Sequence, residues 1–483
     1  MRRREFLQAT STAAVAASFL SIPKVTYGED VPEVCSCRTY ATPADAMKAP
    51  AETIAYVPCI RTATGIDRPD YLATIDVDPE SATYGTVLHR LPMPNVGDEL
   101  HHFGWNACSS CHGVDGKQRR FIVLPGIASS RIHIVDTSEP KAPKIHKVIE
   151  GEDIKRETGL SAPHTVHCLA DGNIMISMLG KADGSGPGGF ILLDDEFNIA
   201  GLWTEDTGPM KFNYDYWYQP RHNVMVSSEW GAPNTVSQGF NPADVAAGKY
   251  GRNLHFWNWT ERKIEQTIDL GESGQIPLEV RFHHNPDSTH GFVGAALSST
   301  MWHFSHDDEN KKWTAEQVIA VESIEKEGWP FPVPGLITDL VLSMDDRFLY
   351  FSNWLHGDLR QYDVSEPSNP KMTGQVWLGG VLGNDVPSVK GTTLGGGPQM
   401  LQLSLDGKRL YVTNSLYTPW DEQFYPEMAK AGSYMLQVDC DTDQGGLKLN
   451  ENFMLDFGAE PDGAVRAHEI RFPGGDCTSD IWV

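Results

Sequence analysis

Cysteine is scarce in this sequence, with eight in 483 residues, too few for a disulfide scaffold to stand in for a hydrophobic core. Cys35, Cys37, Cys59, Cys108, Cys111, Cys168, Cys440 and Cys477 leave room for a bridge or two in an oxidising compartment, with no pairing assigned. Basic residues are also short, 39 Lys and Arg against 64 Asp and Glu, for a net charge of −25. That balance argues against nucleic acid and anionic membrane surfaces as partners. Past the N-terminus no segment has the roughly 20 uninterrupted apolar residues that a spanning helix needs. The mature chain is therefore expected to be soluble, with no membrane anchor. Helical periodicity is scarce as well, and "NPADVAAG" from Asn241 is one short candidate.

The N-terminus, "MRRREFLQATSTAAVAASFLSI", sets Arg2, Arg3 and Arg4 ahead of Phe6 and Leu7, then a short Ala-rich run broken by Pro23. This is the pattern of a twin-arginine export signal. Residues 1–28 are expected to be that signal, residues 29–483 a single domain, and the periplasm its destination.

What the chain has in quantity is one repeated grammar: an alternating apolar run, a turn with Asp or Gly, and a second run rich in β-branched and aromatic residues. It recurs in "NACSSCHGVDGKQRRFIVL" from Asn106, "HTVHCLADGNIMISML" from His164, "YDYWYQPRHNVMVSSEW" from Tyr214 and "VRFHHNPDSTHGFVGAALSS" from Val280. It continues in "LVLSMDDRFLYFSNW" from Leu340, "LQLSLDGKRLYVTNS" from Leu401 and "HEIRFPGGDCTSDIWV" from His468. The turns fall near positions 115, 171, 221, 287, 345, 406 and 475, a spacing of about 50 to 70 residues that suits four strands per unit. Seven units predict an all-β, seven-bladed β-propeller; two stacked β-sandwiches are the alternative. The last hairpin ends at the C-terminus, so residues 52–60 and 69–79 are expected to supply its outer strands and close the ring.

Aligning the hairpins on their turns brings the openings of the inner strands into register around the axis. The side chains there are His101 or His102, His164, Tyr214 or Asp215, Glu279, Asp339, Gln399, and His468 with Glu469. A wet channel would account for polar residues, but several histidines with carboxylate support suit a transition metal with an open position. His101, His102, His164 and His468 are the expected ligands, with Glu279, Asp339 and Glu469 orienting imidazoles or moving protons. His222, His284 and His306 are assigned to turns or loops. Cys108-Ser-Ser-Cys111-His112 has the spacing of covalent haem attachment, yet a twin-arginine signal serves proteins exported already folded. Placed along an inner strand, the motif also suits a disulfide, a pair of free thiols or inert packing.

From about Cys37 to Val483 the chain resembles the selenium-binding protein and methanethiol oxidase family. The strings that carry the resemblance include "PDYLATIDVDP", "HRLPMPNVGDELHHFGWNACSSC", "GLITDLVLSMDDRFLYFSNWLHGDLRQYDVS" and "RFPGGDCTSDIW". The resemblance implies a seven-bladed propeller and, for exported bacterial members, a copper-dependent oxidase. That enzyme would turn methanethiol, oxygen and water into formaldehyde, hydrogen sulfide and hydrogen peroxide. Histidine-held copper is the implied cofactor, and Glu279 or Glu469 would take a proton from the methyl carbon. A small pocket is expected, with Trp105, Tyr214 or Trp217 as walls. Animal members carry a cysteine where Gly85 stands here, which speaks against selenium attachment at that point, and they lack a histidine at the position of His112. A non-catalytic propeller binding a metal, a selenium species or a protein partner is the rival reading, and homo-oligomerisation is left open.

Overall fold

The structure, a computed structural model, describes residues 38–483; the expected signal at 1–28, with Cys35 and Cys37, lies outside them. Among the described residues, seven four-stranded antiparallel sheets follow one another along the chain. Six open on inner strands at Gly104–Trp105, Leu160–Cys168, Tyr216–Gln219, Pro277–Phe282, Ile337–Leu342 and Leu401–Leu403. The seventh is built from both chain ends, because Arg466–Ala467 pairs antiparallel with Ile54–Ile60, followed outward by Tyr71–Asp76 and Val87–Pro92. This is a seven-bladed β-propeller, and the sandwich alternative is excluded. The short helix expected from Asn241 is present at Pro242–Ala246.

Residue pattern decides position within each blade. The inner strand Leu160–Cys168 is buried at all nine residues, whereas the outer strand Lys263–Asp269 alternates exposed and half-buried side chains with the period of two that a solvent-facing edge imposes. Turn chemistry closes the inner hairpins. In "LSLDGKRLY", Asp406 Oδ1 accepts from Ser404 Oγ at 2.7 Å and Lys408 N at 3.2 Å, and Gly407 takes the left-handed conformation (φ 75°) that the turn requires.

Adjacent blades are latched near the axis by hydroxyls. Ser177, Ser228 and Ser352 donate to the carbonyls of Tyr214, Leu278 and Gln399 in the following blade, at 2.7, 2.6 and 2.8 Å. The Thr413 hydroxyl likewise donates to His468 O across the closing seam. Carboxylates do the same for backbone N–H groups: Asp215 accepts from Val280 N and Asp339 from Leu401 N. A buried N–H without such a partner would cost about 1–3 kcal/mol.

Two expectations need correction. Residues 468–483 do not form a hairpin; Asp476 and Asp480 accept from the backbone N–H groups of Phe472, Thr478, Ser479, Asp476 and Ser109, which holds this tail as a coil. Nor does the Cys108–Cys111 motif run along an inner strand. Ser109–Cys111 is a 3₁₀ turn, pinned by Ser109 N and Oγ donating to Asp480 Oδ1 at 2.9 and 2.7 Å.

Candidate metal centre

Inner strands aim residues at the axis by a repeated backbone device. The strands at 160–168, 277–282 and 337–342 each shift register between residue pairs Pro163/Val166, Pro277/Val280 and Ile337/Leu340. The bulges therefore contain His164, Glu279 and Asp339, and a bulge re-aims the side chain it carries. Just upstream stand Ala162, Ile276 and Leu336, non-glycine residues with φ of 56°, 60° and 57°. A left-handed residue of this kind costs about 1–3 kcal/mol and persists only where the surroundings enforce it. Glu99 (φ 53°) occupies the same place ahead of His101 and His102.

The structure brings His101, His102, His164 and His468 together. His101 stacks on His468 with centroids 3.9 Å apart and planes 13° from parallel, and His102 lies 3.9 Å from His164. One ring nitrogen from each of His101, His102 and His164 lies within 4.8 Å of the others. All four rings are buried, and each keeps one nitrogen without a hydrogen-bond partner: Nδ1 of His101 and Nε2 of His102, His164 and His468. For two rings the other nitrogen is committed to an acceptor. His468 Nδ1 donates to Ser415 O at 2.7 Å, and His164 Nδ1 donates to Thr165 Oγ1 at 3.0 Å, whose proton goes to Asp215 Oδ1 at 2.7 Å. That choice of tautomer turns a lone pair of Nε2 inward. Burial, reinforced by the neighbouring rings, lowers the pKa of His101, His102 and His164 well below the usual range, and burial brings His468 down to about 4. Neutral imidazoles with inward lone pairs are the donor set a borderline transition metal takes, so copper fits these residues.

Glu279 and Glu469 flank His102, with oxygens 3.8 Å from Nε2 and 3.4 Å from Nδ1. Each is paired to an arginine two residues on: Arg281 donates to Glu279 Oε2 at 2.7 Å, and Arg471 pairs with Glu469. Burial raises the pKa of both glutamates, for Glu279 with the added repulsion of Asp215. Burial also pushes Asp215 up, but Arg281 and the Val280 amide hold it down to about 2. Asp339 is pushed up by burial to about 7 and spends its oxygens on Leu340 N and Leu401 N. Glu279 Oε1 stays unpartnered.

Beside His101 lies a small chamber walled by Tyr214, Trp230, Ile276, Leu278, Ala296, Leu336, Leu416 and Trp420, with Thr338. Of the three aromatics expected as walls, only Tyr214 takes part. Trp105 packs in the core against Tyr56 and Ile122, and Trp217 lies under the Arg281 guanidinium, 5.3 Å from its ring centroid. His306 sits on the strand Thr300–Asp307, not in a loop, and faces Asp308. Arg281, Arg471 and Thr165 escaped sequence reasoning. The two arginines were signalled by "EVR" at 279–281 and "EIR" at 469–471, since residues two apart on a strand share a face.

A seven-bladed propeller whose axis holds four buried imidazoles beside an apolar chamber carries a candidate metal site. Residues 34–483 match the 56kDa selenium binding protein (SBP56) family, and the chain belongs to that family. It is 57% identical to proteins named methanethiol oxidase from Xenopus laevis and Homo sapiens, over 92% of this chain and 98% of theirs. The X-ray structure of a hypothetical selenium-binding protein from Sulfolobus tokodaii superimposes with a TM-score of 0.87 at 43% identity, covering 92% of this chain and 100% of that one.

The Cys108-Ser-Ser-Cys111-His112 motif does not suit covalent haem. Both sulfurs are buried against Ser110 and Cys168, whereas thioether attachment requires them to face a porphyrin edge. All six described cysteines are free thiols. Gly85 has φ 73°, a conformation that favours glycine.

Proposed function

We propose that the chain is a copper-dependent methanethiol oxidase, converting methanethiol, O2 and water to formaldehyde, hydrogen sulfide and hydrogen peroxide. The observation that carries this reading is the convergence of four neutral imidazoles, each with an unpartnered nitrogen, one of which, His101, lines a small, mostly apolar chamber. The shared name of its 57% identical relatives supports it. His101, His102, His164 and His468 would hold the copper. Bound there, copper supplies a Lewis acid that acidifies a thiol and a redox centre that passes electrons to oxygen.

The remaining work falls to the chain's own groups. Apolar walls from Ile276, Leu278, Ala296 and Leu336 exclude bulk water and seat a methyl group. A proton leaving the chamber goes to Glu279, whose Oε1 has no hydrogen-bond partner and which stands close enough to Tyr214 to add to the rise in its pKa that burial causes. Burial keeps that carboxyl basic enough to hold it. Glu469, locked by Arg471 and by Phe103 N, orients His102 instead. Export to the periplasm under the signal at residues 1–28 completes the proposal.

Purified mature protein tests the reading. About one copper per chain and methanethiol-dependent oxygen uptake are expected; protein that stays copper-free after reconstitution and consumes no oxygen would instead be the binding propeller. Thr165→Val, which breaks the link from His164 to Asp215, should weaken copper binding about 10–100-fold with the fold intact, measurable by competition with a chelator. Leu336→Ala should enlarge the chamber and raise the ethanethiol-to-methanethiol ratio of kcat/KM about tenfold, since one methylene is worth 1–3 kcal/mol in such a pocket. An unchanged ratio would remove Leu336 from the substrate wall.

A further inference from the structure

Away from the histidines, two blades build a second cluster of nucleophilic side chains. Cys108 and Cys111 bracket the turn after the inner strand Gly104–Trp105, and Cys168 ends the inner strand of the next blade, beyond His164 at its middle. The Ser110 hydroxyl sits among all three, 3.2 Å from Cys108 Sγ, 3.6 Å from Cys168 Sγ and 3.8 Å from Cys111 Sγ. Cys111 Sγ also lies 3.2 Å from Leu169 O, the residue that follows Cys168, so the two cysteines meet across the blade boundary. The frame is rigid: Ser109 is tied to Asp480, Cys111 N donates to Cys108 O at 3.0 Å, and the Tyr218 hydroxyl donates to Cys168 O. Ser110 also lines an open cavity together with Ser109, His112, Arg221 and Trp482, which brings solvent to the hydroxyl that contacts the sulfurs.

The protons are unequally shared. Cys168, Ser110, the Cys108 amide and Lys117 bring the pKa of Cys111 down to about 6 against its burial, while burial pushes Cys168 far up; when protonated, Cys111 donates to Leu169 O. A thiolate beside a protonated thiol is the arrangement of a nucleophile and its resolving partner.

We propose that Cys111 and Cys168 are a peroxide-reactive pair that closes an inter-blade disulfide when hydrogen peroxide reaches it. The Cys111 thiolate attacks one peroxide oxygen, the O–O bond breaks, and the departing hydroxide takes the Cys168 proton to leave as water. The Cys168 sulfur then attacks the sulfenic sulfur, the S–O bond breaks, and the released hydroxide takes from solvent the proton that Cys111 gave up on ionising and leaves as a second water. Two thiols lose two electrons and two protons in all, and one peroxide accepts them. The oxidase reaction proposed above would generate this oxidant within the same molecule, but the pair's chemistry does not depend on that source.

The test uses full-length protein, reduced, exposed to equimolar hydrogen peroxide and then alkylated. The expected result is the loss of two free thiols per chain and a cross-linked pair of peptides, lighter by two hydrogens, whose fragmentation joins Cys111 to Cys168. Cys168→Ser should stop the reaction at a Cys111 sulfenate captured by dimedone, and Cys111→Ser should leave Cys168 reduced. Full alkylation of Cys168 in the treated wild-type protein, or a Cys108–Cys111 bridge in its place, would overturn the proposal. Because the oxidant is added, failure here leaves the oxidase reading standing. Should added peroxide close the bridge while methanethiol turnover does not, it is the oxidase reading that is at fault.

Discussion

Replacing His164 by alanine is expected to leave the protein folded and nearly free of copper. His164 contributes one of three nitrogens that lie within 4.8 Å of one another, and its orientation is fixed by Thr165 and Asp215. An outer partner of a metal ligand is worth about 10–100-fold in affinity, so removal of the ligand itself should cost at least about 100-fold, with oxygen uptake falling in parallel. His468→Ala should behave alike, since its Nε2 is also free and its ring stacks 3.9 Å from that of His101. His306→Ala, on the strand Thr300–Asp307 and facing Asp308, is the control and should keep full copper. Equal copper in all three variants would remove these histidines from the site. Acidity sharpens the test. Burial pushes His468 down to about 4 and holds the other three well below the usual imidazole range, so the four resist protonation in mild acid, where an exposed histidine becomes mostly charged. Copper titrated into apoprotein at pH 5 should therefore still bind.

Arg466→Ala should be the most damaging single change to stability. Arg466 lies on the closing strand, is fully buried, and donates to Asp421 Oδ2 at 2.6 Å, Thr62 O at 2.8 Å and Thr418 Oγ1. It therefore ties the N-terminal part of the last blade to the segment that carries Ser415, the partner of His468. Stranding a buried partner costs about 3–5 kcal/mol. The loss depends on pH in a definite direction. Burial raises Asp421 to about 6 even with Arg466 beside it. Its folded pKa is above its unfolded value, so stability already falls as pH rises from about 4 towards 6. Without Arg466 the folded pKa climbs further and that decline extends to higher pH. Urea unfolding should show a larger deficit at pH 8 than at pH 5, and an equal deficit at both would contradict the buried-pair account.

Much of this was legible in the sequence because a propeller repeats its local chemistry. Turns such as Asp406-Gly407 close inner hairpins, and the axial residues stand on the runs ahead of those turns, which is how residues 101, 102, 164 and 468 could be grouped. The C-terminal stretch "HEIRFPGGDCTSDIWV" misled because its alternation mimics a strand pair, while Asp476 and Asp480 capture the backbone N–H groups that pairing would need. Cys168 was illegible as the partner of Cys111, since only the packing of neighbouring blades brings the end of one inner strand against the turn of the last. The bulges that aim His164, Glu279 and Asp339 left no mark in composition, being properties of register.

The closing strand also bears on how the molecule is made. His468 follows Arg466–Ala467 directly, and its neighbour Glu469 meets Phe103 across 366 positions of chain. His468 is the last of the four imidazoles in sequence, so any fragment that stops short of it presents three imidazoles and an open seam. Because free energy of metal capture is also free energy of folding, a metal held at the proposed centre would fasten the seam between residues 54–60 and 466–467 as well as serve the chemistry.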